Sequence, residues 1–356
     1  MTTARSTRVA RRRPWRSGWP IAAVGVLVAV VVAVGFVVVI PSSRQPTPSA
    51  LPLRTTGELA LPGDNSRFDY ASLDADGGLL FIAHLGAGEV LEVDIRAHRV
   101  VRTIRNLPQV HGVLVVPALH RVYATATGSN LVVGIDENTG EVLTLSPTGE
   151  YPDGLAYDPR RGAIWTTNET GGSETVIDTV TGAPRGTVAL GGEVGNVAYD
   201  PIGDQMLVAV QGHDELAAID PATLTVTARV SLPGCEHSHG LTLDPGDRLG
   251  FVACDANATL LTVDLSTWQT AGTNPVGQEP DVLAYDQNAH QLYVAAESGW
   301  VTVLDERERR LSVVGSDHLA DGAHVVAVDD TTHHSFYPLP AGADGHPTLL
   351  EAEPAP

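Results

Sequence analysis

Aspartates and histidines recur through this sequence at one fixed distance from a repeated turn. The turn follows a short apolar strand that usually ends in an acid, and its markers are Asp74, Val116, Asp158, Asp200, Asp244, Asp286 and Asp329. Five residues before them stand Asp69, His111, Asp153, Gly195, His239, Asp281 and His324, so six of seven positions are Asp or His in an otherwise apolar stretch. Imidazoles and carboxylates move protons near neutrality and ligate divalent ions, so the set is a candidate for acid–base chemistry or metal binding. His111, His239 and His324 would hold zinc, copper or another divalent ion with an open position, provided all three nitrogens reach one ion at about 2 Å. Bracing neighbouring backbone groups, or binding a ligand without chemistry, are the competing readings of the same residues.

Ten residues after the markers lie His84, Asn168 and Cys254. An antiparallel second strand would bring them beside Asp69, Asp153 and His239. An Asp69–His84 pair would raise the imidazole pKa, because a nearby carboxylate favours the charged form. The fifth repeat opens CEHSHG, and Cys235, His237, His239 and Cys254 form a soft-metal quartet on paper, though not at zinc-finger spacing. A Cys235–Cys254 disulfide or two free thiols are the alternatives. Glu150, Glu193, Glu236, Glu279 and Asp321 precede the ring positions and would make that end of the fold negative, favouring cations. Asn168-Glu-Thr matches a glycosylation sequon, and His333-His334 is expected to face solvent on the far turn. There is no glycine-rich phosphate loop, nucleophile elbow, HExxH helix or CxxCH haem motif.

The elements that carry these residues follow from the period. Successive markers are 42, 42, 42, 44, 42 and 43 residues apart, and a second acid closes a third strand at Asp94, Asp136, Asp178, Asp220, Asp264 and Asp305. Four short strands in about 40–45 residues make one propeller blade. Within the third repeat GLAYDP, AIWTTN, ETVIDT and RGTVAL are β-branched or aromatic runs broken by turns. The seventh repeat stops one strand short, and Thr56–Leu61 is expected to supply it from the N-terminus. The expected fold is therefore all-β, a seven-bladed β-propeller over 55–356 whose ring is closed by an N-terminal strand.

Charge divides the 356 residues sharply. Residues 1–20 hold six arginines and no acid, whereas the chain beyond residue 40 holds 16 arginines, no lysine and 42 acids. An acidic body repels phosphate backbones, which argues against nucleic acid as a partner. Residues 21–40 carry no charged side chain and are long enough for a transmembrane helix. The arginines place 1–20 in the cytoplasm and the propeller outside, a single-pass arrangement at the cell membrane. A cleaved signal peptide is the alternative, but the apolar run exceeds a usual signal core. Residues 41–54 are rich in Pro and Ser and are expected to be a tether.

Several motifs resemble the YVTN-type β-propeller repeat family of bacterial extracytoplasmic proteins. Ile164–Asn168 and Gln291–Ala296 are similar to its blade signature. Arg67–Tyr70, Ala83–His84, Val110–Val113, Tyr151–Pro159 and Ala323–Asp329 are similar to one branch of it. The resemblance covers 55–356 and implies the propeller fold, with no single activity attached. The resulting expectation is a binding or scaffold module for a small cationic ligand, a metal ion or a cell-envelope protein. The rivals are a metal-dependent lyase, hydrolase or oxidoreductase using the His/Asp ring, and a partnership with a redox protein.

Overall fold

The structure is a computed structural model that describes residues 46–356. The apolar run 21–40 lies outside the described residues, among which no helix is long and apolar enough to cross a membrane.

Seven four-stranded antiparallel sheets form the blades of an all-β propeller. Blade 3 shows the plan: Pro152–Asp158 lines the axis, followed outward by Ala163–Asn168, Ser173–Asp178 and Pro184–Ala189. The acid ending each inner strand shapes the next turn; Asp158 Oδ1 accepts the backbone N–H groups of Arg160 and Arg161 at 3.0 and 3.2 Å. The strand-end acids act alike, as where Asp178 Oδ1 takes the N–H of Val180 and Thr181.

Burial explains why the strand patterns differ. The second strand is covered by blades on both sides, so Ala163–Asn168 and Leu249–Cys254 are buried at every residue. The outermost strand has one wet face, and Thr225–Ser231 alternates exposed and half-buried. The apolar core is divided into seven clusters, one per seam between successive blades. Trp165 fills the seam between blades 3 and 4, and Phe68, Phe336 and Leu349 join blade 7 to blade 1.

Blade 7 contains Ala327–Val328, Ser335–Leu339 and Thr348–Pro354, with Leu53–Ala60 hydrogen-bonded antiparallel to the last of these. The chain is docked even earlier, inside the stretch expected to be a free tether. Ser49 pairs with Ser316 through two backbone hydrogen bonds of 2.8 and 3.0 Å, and Leu51 packs on the seam between blades 6 and 7. Ion pairs brace the face that carries the turns, among them Arg161–Asp204 and His333–Asp286. His333 is thus tied to the preceding blade at 2.7 Å, and His334 lies 3.3 Å from Glu353, rather than both standing free in solvent.

Candidate ligand site at the channel mouth

The inner strands of all seven blades line an axial channel, and residues of blades 1 to 6 surround a polar cup of about 400 Å³ at one mouth, with His324 of blade 7 outside its lining. Tyr70 belongs to both spaces. Its hydroxyl reaches from blade 1 across the axis to donate to Asn196 Oδ1 of blade 4 at 2.7 Å, so this pair forms a bar between cup and channel. The cup is lined by seven carboxylates, Asp69, Asp153, Glu169, Asp255, Glu279, Asp281 and Glu297, against one arginine, Arg67.

Part of that negative charge is already neutralised. Arg67 donates to Asp69 Oδ1 from Nε at 3.0 Å and Nη2 at 2.7 Å, lies 3.5 Å from Asp281 and pairs with Glu297. Burial opposes its charge, but these three carboxylates outweigh burial and raise its pKa. His239 Nε2 donates to Asp281 Oδ1 at 3.1 Å. Burial opposes the imidazolium here too, yet Asp281, Asp153 and Glu169 lift its pKa to about 10, while His239 holds Asp281 below the usual carboxylate range against its own desolvation. A charged imidazole donates from both nitrogens. Gln211 Nε2 stands 2.5 Å from His239 Nδ1 while Oε1 has no partner, so turning the amide over supplies the acceptor that Nδ1–H requires. His324, only 1% exposed, lies 3.6 Å from Asp69 and 4.0 Å from Asp281, and its pKa rises despite burial.

Asp153 stands apart from this balance. It is 3% exposed, its Oδ1 has no hydrogen-bond partner, and burial beside Asp69 pushes its pKa well above the usual range. Asp69, His111 and Asp153 each offer a donor atom, and these atoms lie within 4.8 Å of one another. His111 is oriented by its surroundings: Nδ1 lies 2.8 Å from the Gln109 carbonyl and 3.0 Å from Thr127 Oγ1, and Nε2 is 3.1 Å from the Tyr151 hydroxyl. A second group joins Asp69, Asp281 and His324. Among the described residues no such donor group joins two of His111, His239 and His324; His111 and His324 each group with carboxylates, and His239 pairs with Asp281. The blades carrying them are separated around the axis, and the intervening positions hold Asp69, Asp153, Asp281 and Gly195.

The second-strand residues end beside the ring, with Asn168 opposite Pro152 and Cys254 opposite Ser238, but none of the three lines the cup. His84 does not meet Asp69. It is buried against Phe68, 3.1 Å from Ser66 Oγ and 3.7 Å from both Asp64 and Glu89, and desolvation lowers its pKa rather than raising it. Asn168 is wholly buried, bonded to Gly149, Ser173 and Thr175, so its sequon is closed to a glycan in the folded protein. Cys235 and Cys254 are bonded to each other, which removes the thiolate quartet. His237 instead pairs with Asp255 at 2.8 Å on the cup wall.

Blade 4 lacks an acid or imidazole for a steric reason. A Cβ on Gly195 would stand 2.5 Å from the carbonyl oxygen of His239 and 2.7 Å from its Cα. Glycine lets these backbones approach, and Asn196 N–H donates to that carbonyl at 2.9 Å. Gly195→Ala is expected to cost about 1–3 kcal/mol in urea unfolding, because the overlap is with backbone that cannot swing aside. A wild-type midpoint would contradict this close approach.

Two further tiers complete the cup. Seven residues before the markers come Arg67, Gln109, Tyr151, His237 and Glu279; eleven after come Glu169, Gln211, Asp255 and Glu297. The same marker arithmetic, taken two residues earlier and one residue later, would have found them. Four of the first tier, Gln109, Tyr151, His237 and Glu279, take left-handed φ values between 51° and 61°. Of the expected acidic rim only Glu279 lines the cup, while Glu150, Glu193, Glu236 and Asp321 are exposed around it.

No protein-family model matches the chain, and no curated protein matches it. Solved structures similar to it include the hydrazine synthase of Kuenenia stuttgartiensis, with a TM-score of 0.68 and 16% identity over 76% of this chain and 92% of that one. A streptogramin B lyase gives 0.69 and 13% identity over 85% and 97%. The protein U3-55K gives 0.71 and 11% identity over 86% and 100%. Likeness at these identities shows the fold alone.

Proposed function

We propose that the protein is a binding module whose channel mouth takes a small cationic ligand, held outside the cell membrane by residues 21–40. The supporting observation is the cup itself: seven carboxylates face Arg67 and the charged His239 in a cavity closed below by Tyr70 and Asn196. Low-dielectric walls focus such a field onto a bound cation. The Cys235–Cys254 disulfide fits an oxidising compartment, as does the resemblance to YVTN-type propellers. The outer strand supplied by Leu53–Ala60 would latch the ring next to the tether, and a cell-envelope protein docking on the rim is compatible with this role.

The test is a thermal-shift panel on the full chain in detergent, purified without chelator or polyhistidine tag. Putrescine, choline, magnesium, manganese and zinc are compared with acetate, phosphate and neutral glucose. A cation is expected to raise the melting temperature by a margin that falls as salt rises. Stabilisation by anions alone, or by nothing in the panel, would overturn the reading.

An enzymatic role is favoured by one arrangement. Tyr151 and His111 are hydrogen-bonded at the cup wall, opposite a buried His239–Asp281 pair, which gives proton-moving groups on two sides of one ligand space. One propeller of similar fold is described as a lyase. Turnover of a bound ligand, lost in His111→Gln with binding retained, would establish this second reading.

A further inference from the structure

We propose that the ligand of this mouth is a divalent first-row transition-metal ion, held by Asp69, His111 and Asp153. The inference rests on the cationic-ligand reading and narrows it to one place in the cup. Two independent observations carry it. The three donor atoms lie within 4.8 Å of one another, and Asp153 Oδ1 is a buried carboxylate oxygen with no partner, on a side chain 3% exposed.

The neighbouring group of Asp69, Asp281 and His324 satisfies the same distance rule, but Arg67 reaches both of its carboxylates, whereas in the proposed group it reaches Asp69 alone. Arg67 pairs with Asp69, Asp281 and Glu297, and His239 hydrogen-bonds Asp281 at 3.1 Å. Asp153 is left over, and an ion at this place is the partner its free oxygen lacks. The donor set is mixed, with imidazole nitrogen beside carboxylate oxygen, which suits manganese or zinc better than magnesium or calcium. His111 is already steered by Gln109 and Thr127 through Nδ1, the outer-sphere arrangement that aims Nε2 at an ion. Binding would displace the Tyr151 hydroxyl from Nε2 and leave it on the cup wall.

The experiment is calorimetric titration of the chelator-treated full chain in detergent with manganese chloride and zinc chloride. One equivalent is expected to bind, with affinity reduced at least tenfold in Asp153→Asn and in His111→Gln. Asparagine keeps the shape of the buried side chain but removes one carboxylate oxygen, and circular dichroism checks that the fold is unchanged. His290→Gln tests the acid cluster of Asp244, Asp247, His290 and Glu306 on the opposite face, and is expected to leave binding as in wild type. Wild-type affinity in Asp153→Asn, or loss in His290→Gln alone, would overturn the assignment. Failure of both metals while putrescine or choline binds would also overturn it and leave the broader cationic-ligand reading standing. Failure of every cation would remove both.

Discussion

Asp281→Ala is expected to lower the unfolding free energy by about 3–5 kcal/mol, because it removes the carboxylate that pairs with the buried imidazole of His239. Asp281 accepts from His239 at 3.1 Å and lies 3.5 Å from Arg67 and 4.0 Å from His324, so side chains of three blades lean on one carboxylate. Urea unfolding at neutral pH measures the loss. Asp321→Ala on the exposed rim serves as the control and is expected to stay within about 0.5 kcal/mol of wild type.

The same pair sets a pH dependence whose sign follows from linkage. The folded pKa of His239, about 10, lies above its unfolded value of 6.5, so its contribution is complete below about 6.5 and is lost as pH rises towards 10. The pKa of Asp281 is depressed from 3.8, so its contribution is complete above that value and is lost on acidification below it. Stability should therefore fall between pH 7 and 10 in wild type, and the slope should flatten in Asp281→Ala. A wild-type profile that is level across that interval would contradict the charged pair.

Loss of the disulfide is the second large effect. Cys235 and Cys254 are 19 residues apart, and closing a loop of that length in the unfolded chain stabilises by about 3 kcal/mol. Both cysteines are buried, in the seam between blades 4 and 5, and the segment they tie down carries His237 and His239. Cys235→Ala/Cys254→Ala should lose that amount in urea unfolding. Reductant should weaken wild type similarly and leave the double variant unchanged. A wild-type midpoint insensitive to reductant would contradict a stabilising role for the bond.

The blade period was legible because each blade solves the same burial problem, so marker acids and apolar second strands recur every 42 to 44 residues. The ring at five residues before the marker was legible for the same reason, as polar residues open an apolar strand at the axis. His84 shows where counting failed. It ends its strand with the side chain turned onto Phe68, and the wall position belongs to the next residue in the chain, where Glu169, Gln211, Asp255 and Glu297 stand in four other blades. The pairing of Arg67 could not be read from spacing, because its partners Asp281 and Glu297 come from blade 6 and meet it only when the ring closes. The orphan oxygen of Asp153 likewise depends on burial by neighbouring blades.

Crystals of the full chain soaked in manganese chloride, with data collected near the manganese absorption edge, would locate a bound ion directly. A single anomalous peak between Asp69, His111 and Asp153, at about 2.0–2.3 Å from their donor atoms, is the expected result. A mouth with no peak at saturating manganese, or a peak confined to the opposite face by Asp244 and Glu306, would contradict the cup as a metal-ion site.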